Sequence, residues 1–377
     1  MRVTPTIPVL LLGAAAASDK LAEGAAKCPE KLKATVDWVD YEWSGVRHLT
    51  MAGLHDHLKA CHNTAELNLH LDFDGAFGLV PLNFPFNLAG GDRYPNLTSL
   101  KVNGYNFDSR PWDELLATWN WNLLKIWLGT PKERRYMSNI ELWLEAMDWS
   151  HLESLDMGVH ISDHLAEVIP PHLTNLKHLT FSQSNMHLSD GSLKFIQSLA
   201  SSVLDKHGSS LKNLDIHYDD RDTPLPQLTS EEFHLIDTKA LNLQHLALNI
   251  DRNGTWPWEA LEIIASSLPS LESVHIWLQL ASDLAQQNPP PDFYTDQEAV
   301  TDSAFREPRL NQTTAAEVFT FLKARNGDGS LQSVTFSSGD FIGGPARFSQ
   351  WDYGRRPALI RATEIFEPEN GEPAVIQ

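Results

Sequence analysis

The chain has 377 residues, with 49 Asp and Glu against 29 Lys and Arg, a formal charge of −20, 42% apolar residues and 2 cysteines. Such a chain can bury a sizeable core and is not of disordered composition. Its charge argues against wrapping nucleic acid or docking on an anionic membrane, both of which need basic patches, and two cysteines are too few for a four-cysteine zinc site.

In chain order, Arg2 is followed by the apolar run Ile7 to Ala17 and by small residues up to Ser18. That pattern predicts a secretory signal over 1–18; the run is too short for a bilayer core of ~30 Å, which takes ~20 apolar residues. An alanine-rich start of a cytosolic protein is the alternative. Cys28 and Cys61 come next, and an oxidising compartment predicts one bridge between them, with two reduced thiols as the alternative. Leu32 to Trp43 alternates in part and reads as an edge strand, and Gly53 to Ala60 reads as a helix. Residues 19–63 are expected to form an N-terminal cap. His55, Asp56 and His57 could suggest an H-x-H metal pair, but residues two apart diverge on a helix, so a solvated helix face is the better reading.

From residue 64 to 337 the chain repeats an apolar-x-x-apolar-x-apolar unit. Its copies begin at Leu97, Leu123, Leu152, Leu176, Leu211, Leu243, Leu271 and Leu331, with degenerate copies at Val46 and at Leu67-x-Leu69. The unit predicts a short strand whose fourth and sixth residues point into a core that only stacked neighbours can complete. Helical spacing between copies predicts returning helices over Leu188 to Asp205, Trp258 to Leu268 and Thr313 to Ala324. Residues 72–94 and 279–310 interrupt the pattern as loops. The acidic run at Asp219, Asp220 and Asp222 is best read as a solvated turn, and the W-x-W pairs Trp119/Trp121 and Trp256/Trp258 as packing. Residues 338–377 are expected to form a C-terminal cap and a frayed acidic tail. The sequons at Asn96, Asn253 and Asn311 become candidate glycan sites behind a signal.

The repeat, and above all the stretch from Trp143 to Leu155, resembles the leucine-rich-repeat family, in particular the irregular arrays of fungal F-box-associated proteins. The resemblance implies an α/β leucine-rich-repeat solenoid: a strand and a helix per repeat, a parallel concave sheet, and caps at both ends. It departs from the family in lacking the Asn that follows the third leucine and ladders along the inner turn; Tyr105, His160 and Tyr218 lie near that place. No F-box-like helical region precedes the repeats.

In this phase the third, fifth and seventh residues of each copy share the concave face. They include Lys101, Trp127, Asp156, His178, Asn213, Asp215, His217, His245, Asn249, Ser273, His275 and Trp277. Binding is assigned to Trp127, Asp156, His178, Asp215, His217, His245, Asn249, His275 and Trp277, because a large polar face is what a binding repeat array presents. No nucleophile elbow, zinc-protease motif, phosphate loop or dinucleotide fingerprint is present. No cofactor or metal is called for. The resulting expectation is a secreted, non-enzymatic glycoprotein that binds a protein or polysaccharide. An intracellular F-box-like adaptor and a secreted hydrolase with a carboxylate site in the insertions remain open.

Overall fold

The computed structural model describes residues 28–37, 51–72, 93–103, 107, 137–157, 168–183, 203–218, 230–250, 252–278, 307–308, 310–327, 329–338, 358–363 and 374–376. The expected signal, Trp127, the Trp119/Trp121 pair, the acidic turn at 219–222 and most of both loops lie outside them.

The described residues form an α/β structure around one sheet of 11 strands in sequence order. These are β1 (Lys31–Asp37), β2 (Glu66–Asp72), β3 (Ser99–Asn103), β4 (Ser154–Asp156), β5 (His178–Gln183), β6 (Asn213–Tyr218), β7 (His245–Asn249), β8 (Ser273–Leu278), β9 (Ser333–Ser338), β10 (Ala358–Thr363) and β11 (Ala374–Ile376). The first nine are parallel, and β10 and β11 return antiparallel. Helices alternate with the strands: α1 (Met51–Ala60), α2 (Asn139–Ala146), α3 (Ser230–Lys239), α4 (Trp258–Ser267) and α5 (Gln312–Arg325). The arrangement is solenoid-like, each strand being added beside the one before it in sequence order.

The repeat leucines explain the register. Leu67, Leu100, Leu155, Leu179, Leu214, Leu246, Val274 and Val334 stand side by side across the sheet, and all are buried. Slipping one strand by a residue would turn its apolar row to the opposite face, so these residues fix the pairing. The helices cover that row with Ile140, Trp143, Ile236, Leu261, Ile264, Val318 and Leu322, forming one continuous core. Trp256 joins the core and Trp258 packs on Phe321 at 4.5 Å, so this pair serves packing.

A second ladder runs along the edge where the strands begin. The carbonyl of Ala65 accepts from the N–H groups of Thr98 and Ser99, that of Thr98 from Glu153 and Ser154, and that of Glu153 from Lys177 and His178. The pattern continues through Lys177, Lys212, Gln244 and Glu272. Side chains just before the first leucine of a copy reinforce it: Asn175 Nδ2 donates to the Ser150 carbonyl (3.0 Å), Ser210 Oγ to Leu176 (2.8 Å) and Asn242 Nδ2 to Ser209 (2.7 Å). Asn and Ser thus bind repeat to repeat before the first leucine, rather than after the third.

Three expectations are corrected. The copy at Leu123 adds no strand between β3 and β4, because Ser99, Leu100 and Lys101 pair directly with Ser154, Leu155 and Asp156. Its run of Leu, Leu, Ile, Trp and Leu suits a helical period as well as a strand. The copy at Val46 cannot end in a strand at Met51, because Met51 opens α1, where Leu54 and Leu58, four residues apart, bury one helix face. The tail does not end as a frayed segment: Ala374–Ile376 pairs with Arg361–Thr363. Among the described residues several expected elements appear. β1 is the edge strand, α1, α4 and α5 fall where expected, and Cys28 is bridged to Cys61. Of the helix expected over Leu188 to Asp205, the described part is its end, which runs into a one-turn helix at Asp205–His207.

Candidate functional site

The face of the sheet opposite the core carries three polar rows. The first runs Glu66, Ser99, Ser154, His178, Asn213, His245, Ser273, Ser333, and the second Asn68, Lys101, Asp156, Thr180, Asp215, Ala247, His275, Thr335. On the third, His217 pairs with Ser182, and Asn249, Trp277 and Ser337 stand side by side. Residues scattered over more than 100 positions of sequence are thereby set about 4.8 Å apart per strand.

Asp156 belongs to the N-terminal part of this face. Lys101 Nζ lies 2.5 Å from its Oδ2, so the two form an ion pair across β3 and β4. The C-terminal part is built differently. The carboxylate of Asp215 accepts from Nδ1 of His217 at 2.6 Å, which fixes the ring and its tautomer. The same ring stacks on the indole of Trp277, with centroids 4.2 Å apart and planes 4° apart. The imidazole of His275 also stacks on Trp277, at 4.8 Å and 26°, and its Nε2 is hydrogen-bonded to Ser337 Oγ at 2.7 Å. In the first row, His245 Nδ1 is hydrogen-bonded to Ser273 Oγ at 2.6 Å.

The sheet explains why these rings meet. His217 sits on β6 and Trp277 on β8, so each must lean across β7. There the positions in register are Ala247 and Asn249, whose short side chains are buried. A large residue at either position would separate the stack. The side chain of His217 is consequently 12% exposed and that of Asp215 31%. Burial pushes the pKa of His275 down to about 4; the carboxylate of Asp215 acts in the opposite direction and the neighbouring His217 adds to the depression.

The structure therefore assembles Asp215, His217, Asn249, His275 and Trp277 into one cluster, with His178 and His245 in the adjoining row. Asp156 is set apart by its ion pair with Lys101. Trp127 lies outside the described residues, and the direct pairing of β3 with β4 removes the strand that would have put it in the row. Ser337 went unread, although its place as seventh residue of the copy at Leu331 marks it for the same face. The Lys101–Asp156 contact was hidden by the copy at Leu123, which reads as a strand between them.

A carboxylate-oriented imidazole is a geometry suited to proton transfer. The hydroxyl of Ser337 is tied to His275 and 1% exposed, which closes it to a substrate. What the cluster offers is a rigid set of donors and acceptors around an aromatic plate. Among the described residues, no group of three or more metal-ligating side chains occurs, and no helix is long and apolar enough to cross a membrane. Asn96, Asn253 and Asn311 are all exposed. Asn311 also caps α5, its Oδ1 accepting from the Thr314 N–H at 3.0 Å. That leaves Nδ2, the atom an N-linked glycan would take, outside the cap.

No family model matches the chain, and no curated protein matches it either.

Proposed function

We propose that this chain is a secreted, non-enzymatic leucine-rich-repeat glycoprotein that binds an extracellular protein or polysaccharide on the polar face of its sheet. The observation that carries the reading is the register: outward positions of successive copies form continuous polar rows, and in the C-terminal part their side chains hold one another in place. Side chains already fixed by hydrogen bonds and stacking lose little freedom when a partner arrives, which favours binding. The Cys28–Cys61 bridge and three exposed sequon asparagines fit an oxidising, glycosylating compartment. β1 and the antiparallel pair β10–β11 fit the place of caps, because they occupy the two ends of the strand order.

Expression in a secreting host followed by intact mass analysis tests the compartment. The expected result is a protein in the medium that begins near Asp19, loses mass on glycan removal and gains two protons on reduction. A chain retained inside, unglycosylated and with free thiols, would favour the intracellular adaptor instead. Replacing His217, His245 and His275 together tests the face: binding to extracellular extracts is expected to fall, and unchanged binding by the folded variant would move recognition elsewhere.

A further inference from the structure

We infer that the β4–β9 part of the polar face takes a linear, uncharged polysaccharide, laid across the strands. The inference rests on the recognition reading above and narrows it to one ligand chemistry.

The first reason is charge. Between β4 and β9 the three outward rows contain no Lys or Arg, although the chain as a whole carries −20. The two carboxylates there are Asp156 and Asp215, and both are engaged, with Lys101 and His217. An anionic ligand finds no cation in these rows and meets a strongly acidic molecule; of the two carboxylates, Asp156 is held by Lys101 and Asp215 is turned to the His217 ring, so neither points freely at a ligand. A neutral ligand suits them.

The second reason is the kind of group on offer. The first row supplies Ser154, His178, Asn213, His245 and Ser273, all half-buried. Hydroxyl, amide and imidazole groups offer hydrogen-bond donors and acceptors, as sugar hydroxyls do. Protein interfaces draw most of their energy from buried aromatic or Arg anchors, or from apolar ones filling pockets. Among the described residues the exposed large apolar side chain is Leu241, which lies outside the strands. The aromatic group on the face is Trp277, half-buried and already stacked by imidazoles.

The third reason is periodicity. Parallel pairing repeats the row every 4.7–4.9 Å or so, close to the advance per residue of an extended β-linked sugar chain. Each sugar of an extended β-1,4 chain is turned over relative to the last, so alternate sugars would meet equivalent positions on alternate strands, with the Asp215–His217–Trp277–His275 cluster as the wall beside them.

Calorimetric titration of the full-length secreted protein at pH 7 with cellohexaose, chitohexaose and β-1,4-mannohexaose tests this, with a heparin hexasaccharide and oligogalacturonate as anionic probes. At least one neutral hexasaccharide is expected to bind saturably, and the charged ones not. Asn213→Ala and His178→Ala, at half-buried positions open enough to leave the fold intact, are each expected to weaken binding roughly three- to tenfold. Trp277→Ala, which removes the plate on which His217 and His275 stack, should weaken it at least as much, and His151→Ala, an exposed site off the face, should leave it unchanged. Failure of every neutral hexasaccharide would overturn the inference, as would binding indifferent to Asn213→Ala, His178→Ala and Trp277→Ala in folded variants. If the sugars fail but a protein ligand is lost on substituting the same face residues, the recognition reading stands and the polysaccharide does not. If neither engages the face, both fall.

Discussion

His275 shows how one side chain joins packing to solution behaviour. Its ring lies against Trp277 and is hydrogen-bonded to Ser337, so the folded state holds it neutral, with its pKa near 4. In the unfolded chain an imidazole titrates near 6.5. Between these values the unfolded state binds the proton more readily, so the stability contributed by His275 is complete above pH ~6.5 and is lost as pH falls toward 4. Burial also lowers the pKa of His207, which adds in the same direction. Urea unfolding at pH 7 and pH 4.5 is expected to show a loss at the lower pH that His275→Asn reduces by about 2 kcal/mol. An equal acid loss in the variant and the parent would show that His275 is not held neutral. The identity of the facing residues was legible in the sequence, because the repeat phase alone puts His217, His275 and Trp277 outward. Their stacking was not. It depends on Ala247 and Asn249 being short, a relation between three strands that no single copy displays.

At the scale of elements, the strands announced themselves by two apolar residues separated by one. The segments between them were harder to read. α4 and α5 follow the helical period, whereas α3 (Ser230–Lys239) is hard to recognise, since over the described positions 233–239 of its sequence SEEFHLIDTK the buried residues are Phe233 and Ile236. The copy at Leu123 misled for the converse reason, its apolar run fitting either period. Close approach between elements also needs particular residues. A Cβ at Gly208 would lie 2.7 Å from the Lys239 carbonyl oxygen, so Gly208 allows the end of α3 to pack against the turn at Gly208–Ser210. The bridge between Cys28 and Cys61 joins the approach to β1 with the end of α1 across 33 residues. Closing a loop of that size restricts the unfolded chain by about 3–4 kcal/mol. Chemical unfolding with and without reductant, and of the Cys28→Ser/Cys61→Ser variant, should show that loss. An unchanged midpoint would mean that β1 and α1 are held by packing alone.

At the scale of the molecule, each repeat contacts its neighbours, and the face exists only because many of them stack in one phase. The sequence conveys that phase, the parallel order and the side on which the polar rows fall. It does not convey the edge ladder, whose Asn and Ser residues precede the first leucine where the family pattern directs attention past the third. These rows are expected to be the recognition surface. Histidine footprinting with diethyl pyrocarbonate, in the presence and absence of neutral cell-wall oligosaccharides and of extracellular protein fractions, measures this directly. His178 and His245 report on the face, and the exposed His151, His172 and His234 on the rest of the molecule. Protection of His178 and His245 by a ligand, with the other three reacting as before, is the predicted result. Protection confined to His151, His172 or His234 while the face histidines react unhindered would contradict it.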